Sequence, residues 1–329
     1  MSSITLRKRI INIPEAPVII TTIGLALILG GIQPKFFYPG ILAGMLSYAS
    51  ELGIMVVGVA LLLIAGEFDL SVGATFQAAG AIMLWGVLIG MHPLMAVGLA
   101  LTAGIVIGLC NGFITQKTGV SSLIVTLGVM FFLRGITLFF TGGFPLTVPL
   151  DFPTDFLYFE IFNGLLPGGN FRAAGVWFLV VAAITTIGLV KTRFGNHILA
   201  SGGDRNVATA LGVRVFRTKL ATYTITAFLA AFAGVVSASR YRYVLSGATL
   251  GSQALEAVAA SVIGGVALFG GRGSLIGASI GAFLMGMVRL GLILAGIDPF
   301  WYEAFIGIVL IVAASVNVLI FKQPASFLK

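Results

Sequence analysis

An all-α membrane protein of about ten spanning helices is what this sequence predicts, and three observations carry the prediction. Hydrophobic residues make up 58% of the chain and charged ones 9%, with a mean hydropathy of +1.10, more than a water-facing surface tolerates. The apolar residues gather in ten runs, most of them near the ~20 residues that cross a hydrocarbon core of about 30 Å. The basic residues lie in the short gaps between runs, and mostly in alternate gaps. Lipid offers backbone groups no partner, so runs of this length are read as helices.

The runs cover 17–32, 41–66, 72–91, 94–116, 121–140, 174–190, 219–238, 254–270, 274–296 and 300–321. The first follows Arg7, Lys8 and Arg9 as a signal sequence would, but no small-residue cleavage site follows, so it reads as an uncleaved helix. The second and third join through Gly66-Glu67-Phe68-Asp69-Leu70-Ser71-Val72-Gly73, where Asp69 or Ser71 is placed to cap the third helix. In the fourth, Gly104, Gly108 and Gly112 recur every four residues, as do Gly277 and Gly281 in the ninth, a spacing that lets helices approach closely. The fifth holds Arg134 about six residues, or roughly 9 Å, from its outer end, within snorkelling reach of the interface.

Two connections are long. Residues 141–173 contain Asp151, Asp155, Glu160 and four prolines, and read either as a surface for an external partner or as a plain loop. Residues 191–218 are the longest cytoplasmic excursion, and "ASGGDRNVATALGVRVFRTK" at 200–219 is strongly polar for this chain. In it Gly202 and Gly203 suggest a turn, Asp204 an N-cap, 205–211 a short helix and Gly212 its stop. Stretches 51–83 and 256–285 share an early glutamate, a glycine turn and a Ser-Gly-Ala pattern, the trace of an internal repeat.

With the amino terminus in the cytoplasm, Arg7, Lys8, Arg9, Lys117, Lys191, Arg193, Arg205, Arg214, Arg217, Lys219, Arg272, Lys322 and Lys329 all fall inside. Lys35, Arg172, Arg240 and Arg242 fall outside, and Arg134 and Arg289 within spans. That asymmetry predicts both termini inside. The expected organisation is a cytoplasmic segment 1–16, a transmembrane domain 17–321 and a cytoplasmic tail 322–329. The pI near 9.9 therefore reflects topology rather than nucleic-acid binding, and the single Cys110 excludes an intramolecular disulfide.

Charges within spans are costly and face a cavity or a partner; here they are Glu51, Arg134, Glu256 and Arg289, with Glu303 nearer an interface. Ser47, Gln77, Asn111, Thr126 and Ser261 either line a polar path or bond neighbouring helices.

"GEFDLSVG" at 66–73, "LRGITLFFTGG" at 133–143, the 200–219 loop and "AVAASVIGGVALFGGRGSLIGA" at 257–278 occur in an order that resembles the permeases of ribose-type ABC importers over about residues 40–320. Glu256 matches an acidic position of that family. Glu67 stands where many relatives have glycine, Ala254 where they commonly have glutamate, and Glu51 and Arg289 also depart from the ribose-permease pattern. The resemblance implies a cobalamin-importer-like (type II) arrangement in the bacterial inner membrane. It also implies ABC ATPase subunits, an external substrate-binding protein and a second permease copy as partners, a homodimer being expected. ATP and Mg would be used by the ATPase, with no cofactor on this chain.

It further implies that Gly202, Gly203, Asp204, Asn206, Ala208, Leu211 and Gly212 contact the ATPase as a coupling loop. Glu51, Asp69, Ser71, Gln77, Asn111, Glu256, Ser261 and Arg289 are the candidates for the substrate path. The solute expected is a monosaccharide or similar small polar molecule. Two other classes are weighed against this one. A secondary transporter would use Glu51, Glu256 and Arg289 as an ion relay. An intramembrane enzyme would need a nucleophile–base or metal motif, and the sequence contains no H-E-x-x-H. A G-x-x-x-x-G-K-[ST] phosphate loop is equally missing, so an ATPase would be a separate polypeptide.

Overall fold

Prolines open several of the helices and left-handed glycines close them. Pro17, Pro39 and Pro93 stand in the first turn of their helices, where the missing N–H costs nothing. Gly119 follows the last turn of the helix that Pro93 opens, and Gly142 that of another, with φ of +75° and +61°. The computed structural model describes residues 15–149, 156–245, 250–298 and 300–321. Arg7, Lys8, Arg9, Asp151, Asp155, Lys322 and Lys329, with nearly all of segment 1–16 and the whole tail 322–329, lie outside the described residues.

The elements are α1 (Ala16–Ile32), α2 (Pro39–Ile64), α3 (Val72–Leu88), α4 (Pro93–Thr118), α5 (Ser122–Thr141), β1 (Leu146–Thr147), α6 (Phe156–Asn163), α7 (Ala173–Lys191), α8 (Arg193–Gly203), α9 (Arg205–Ala210), α10 (Val215–Tyr241), β2 (Tyr243–Val244), α11 (Leu250–Ile263), α12 (Leu275–Leu294) and α13 (Trp301–Phe321). Each of the ten apolar runs has its helix: α1 to α5, α7 and α10 to α13. Six of these, α2, α4, α5, α7, α10 and α12, are long and apolar enough to cross a membrane alone, and the remaining four are shorter apolar helices. The protein is an all-α polytopic membrane protein.

Helix α2 is the axis of the packing, 94% buried over its most apolar window, whereas α5 is 11% buried. α10 and α12 flank α2, and α10 also lies along α3 and α4. The glycine rows account for that closeness. A Cβ at Gly108 would lie 2.7 Å from the Thr224 Cα of α10, and one at Gly104 would lie 2.9 Å from the Ala227 carbonyl. Gly277 and Gly281 of α12 similarly press on the Gly264 and Ala260 carbonyls beside α11. The outward faces of α5 and α7 are apolar and exposed, as at Phe139, Phe131, Leu179 and Ile184, which is what a lipid-facing helix requires.

The two long connections hold more structure than their sequence alone suggests. The 141–173 connection is not a plain loop in its described part: α6 folds inward, and β1 pairs antiparallel with β2 (Leu146 opposite Val244). The 191–218 excursion holds two helices rather than one. Gly202 and Gly203 form no turn, being the last residues of α8, because Gly202 is wedged where any Cβ would strike the Ile64 carbonyl and lie 2.7 Å from the Gly271 nitrogen. The break falls instead at extended Asp204, and α9 runs 205–210, one residue short of the window expected.

Candidate functional site

The polar groups of the spans gather in three places along α2. Near its middle, α2 brings Tyr48 and Glu51 to a cavity of about 430 Å³, which Gln77 of α3, Tyr241 of α10, Gln253 and Glu256 of α11, Arg289 of α12 and Tyr302 of α13 also line. Its carboxylates are held by neighbours on other helices. Glu51 Oε1 accepts from Arg240 (3.2 Å) and from Asn163 Nδ2 (3.0 Å), and Asn163 also donates to the Val236 carbonyl. Glu256 accepts from the Tyr48 hydroxyl at 2.7 and 2.8 Å and from the Tyr302 hydroxyl. Arg289 donates to the Tyr48 hydroxyl (2.6 Å), and its guanidinium lies 4.3 Å over the Tyr48 ring and 5.4 Å from the Tyr302 ring. Such cation–π contacts hold the charge at the wall without neutralising it. The cavity thus presents aromatic faces, hydroxyls, amides and a fixed guanidinium, a lining suited to a small hydroxylated solute.

Past the end of α2, the connection 65–71 forms a second cluster. Asp69 Oδ1 accepts from the Ser71 N–H (2.7 Å) and hydroxyl (2.6 Å), and Asn111 Nδ2 donates to Asp69 Oδ2 (3.2 Å) and Ser71 Oγ (2.8 Å). Ser71 is the N-cap of α3 but its own side chain caps nothing; Asp69 takes the Ser71 amide instead. Burial pushes the Asp69 carboxyl up to about 6, against the hydrogen bonds from Ser71 and Asn111 that lower it.

The third place is the cytoplasmic end of the expected topology. The Asp204 carboxylate caps α9, accepting from the Asn206 N–H (2.8 Å) and the Val207 N–H (3.0 Å). Gly212 closes the helix with φ of +83°. Ala208 is buried against the body, while Val207 is 55% and Leu211 77% exposed. A capped helix thus turns two bare aliphatic side chains outward. Behind it, four glycines meet: Gly66, Gly202, Gly270 and Gly271. The Gly271 N–H donates to the Ile64 carbonyl (2.8 Å), and a Cβ at Gly270 would lie 2.7 Å from the Gly66 Cα.

Of the residues expected along a path, Glu51, Gln77, Glu256 and Arg289 line the cavity. Asp69, Ser71 and Asn111 do not; they bond one another. Ser261 is likewise absent from the lining, bonding the Ala257 carbonyl at 2.8 Å and the Val56 carbonyl at 3.4 Å. Thr126 accepts from the Leu70 N–H (3.1 Å), and Ser47 bonds back to the Ala43 carbonyl (2.8 Å). Tyr48, Tyr302, Asn163 and Arg240 escaped sequence reasoning. By sequence Arg240 reads as an outside loop charge, and its value as a partner is visible only because α10 continues to Tyr241. Among the described residues no cluster of His, Cys, Asp and Glu could hold a metal ion.

A family model described as "Branched-chain amino acid transport system / permease component" matches residues 41–314. A ribose import permease protein of Escherichia coli (strain K12) is 32% identical over 304 residues, 92% of this chain and 93% of that protein. A xylose/arabinose import permease protein of Sulfolobus acidocaldarius is 32% identical over 270 residues, 79% and 72% of the two chains. An autoinducer 2 import system permease protein of Salmonella typhi is 30% identical over 305 residues, 92% and 85%. No solved structure matches.

Proposed function

The chain belongs to the permease family of ABC importers, and from that premise we propose that it carries a monosaccharide or a similar small polar solute across the cell's inner membrane. It is a transport subunit and not an enzyme. A binding protein outside delivers the solute to the Glu51–Glu256 cavity, ATPase subunits inside drive its passage, and a second copy of this chain completes the pathway. ATP and Mg are used on the ATPase. Both termini lie in the cytoplasm, a reading supported by the asymmetry of the basic residues.

The observation that carries this reading is the separation of two features along one helix. The cavity groups Tyr48 and Glu51 sit near the middle of α2, and the glycine junction behind α9 touches Ile64 at its end. Thirteen residues of helix are about 20 Å. A solute chamber and a projecting cytoplasmic helix joined by one buried rod suit a channel driven from outside itself. In this reading Gly202, Gly203, Asp204, Asn206, Ala208, Leu211 and Gly212 form or support the ATPase contact, with Leu211 as the docking side chain.

The competing secondary transporter draws on the same cavity, whose paired acids and guanidiniums resemble a relay. Reconstitution separates the two. The purified chain alone in liposomes is expected to show no solute counterflow, and to import solute only with ATPase, binding protein and ATP. Counterflow by the chain alone would overturn the ABC reading.

A further inference from the structure

We propose that the buried Glu67–Lys219 pair is a clamp that makes the cytoplasmic segment and α2 move as one piece, so that both are positioning residues for coupled transport; this rests on the ABC reading above.

Glu67 lies one residue past Gly66 in the connection that leaves α2. Its Oε1 accepts from Lys219 Nζ at 2.8 Å and from Gln116 Nε2 at 2.8 Å, and its Oε2 accepts from the Tyr223 hydroxyl at 3.2 Å. The Glu67 and Lys219 side chains are both nearly closed to solvent. Residues of α4 and α10 therefore converge on one carboxylate outside any helix. A buried ion pair is seldom the most stabilising filling for its space, since the desolvation of both charges consumes most of their attraction. What it supplies that apolar packing does not is direction: the contact is made in one register or not at all.

The position of the pair gives that register a use. Gly202, at the end of α8, abuts Gly66, whose added Cβ would lie 3.3 Å from the Gly202 Cα. From Gly202 the chain passes through α9 and into α10, and four residues into α10 Lys219 returns to Glu67. One end of the 202–219 segment thus packs against Gly66 and the other is bonded to Glu67, adjacent residues of the same connection. The first contact is close backbone packing, and the second is an ion pair completed by Gln116 and Tyr223. Displacement of α9 is therefore delivered to the end of α2, the helix that holds Tyr48 and Glu51 at the cavity.

The test compares uptake per ATP hydrolysed in proteoliposomes holding the full transporter: wild type, Glu67→Gln, Lys219→Met, and the exchanged pair Glu67→Lys with Lys219→Glu. Both single variants are expected to keep ATPase association and hydrolysis while uptake per ATP falls at least about fivefold, the lower end of ordinary coupling between sites. The exchanged pair is expected to recover most of that loss. Unchanged uptake per ATP in the single variants overturns the proposal, as does an exchanged pair that recovers nothing. Parallel loss of assembly, hydrolysis and thermal stability in both single variants and in Tyr223→Phe also overturns it, because the pair would then be only a structural tie. Tyr223→Phe, which removes one donor and no charge, gives a graded check should Glu67→Gln fail to assemble: an intermediate ratio supports the clamp and an unchanged one overturns it. Failure of the ABC reading shows separately, as wild-type protein without ATP-driven uptake.

Discussion

At Asp69 burial and hydrogen bonding pull in opposite directions, and burial prevails. A carboxyl held near 6 in the fold and near its ordinary 3.8 in the unfolded chain binds its proton more tightly when folded. Its contribution to stability is therefore complete below about pH 4 and is lost as the pH rises to about 6, on the order of 2–3 kcal/mol. Thermal melts of Asp69→Asn are expected to be flatter than wild type between pH 4 and 6; an identical slope would mean that Asp69 does not titrate there. The amide has a partner waiting, since Asn111 Oδ1 accepts no hydrogen bond among the described residues. Glu51 makes a simpler case. Arg240→Met leaves that carboxylate buried without its cation, which should cost about 3–5 kcal/mol, read as a lowered melting temperature.

Helices were the scale at which the sequence spoke most clearly, and α9 shows both how far that goes and where it stops. Asp204, the short helical window and Gly212 were each legible because a cap, a helix and a left-handed stop depend on neighbours within a few residues. Asp204→Ala should weaken the first turn by about 0.5–2 kcal/mol. Ala208→Pro should do worse, about 3 kcal/mol or more, because the Ala208 N–H donates to the Asp204 carbonyl at 2.9 Å. The measurement is ATPase co-purification, expected to fall in that order with membrane insertion preserved. Helix α8 was missed because "ASGG" reads as a turn when only local propensity is weighed. Those glycines stay helical because residues 64–66 and 270–271 press against them, a tertiary fact. The same limit hid the cavity's wiring: Tyr48 meets Glu256 across 208 residues of chain and Glu51 meets Arg240 across 189.

For the whole molecule, the expected sidedness can be read with single cysteines on a background in which Cys110 is replaced by alanine. A cysteine at exposed Asn170 in the outer connection should react with an impermeant reagent from outside, and one at exposed Asn206 should not; the reverse pattern would invert the topology. The central place of α2 also has a consequence in time. During synthesis this helix enters the bilayer long before the helices that will enclose it exist. Arg240 is made 189 residues after Glu51, roughly 10–40 s later at about 5–20 residues per second. Asn163, 112 residues downstream, is the first of the two partners to arrive. A helix almost wholly enclosed in the finished fold must therefore first be a guest of the lipid, carrying a carboxylate whose host arrives in instalments. Ribosome-arrested chains ending before residue 163, between 163 and 240, and beyond 240 should hold α2 with rising resistance to extraction, each step marking the arrival of one partner.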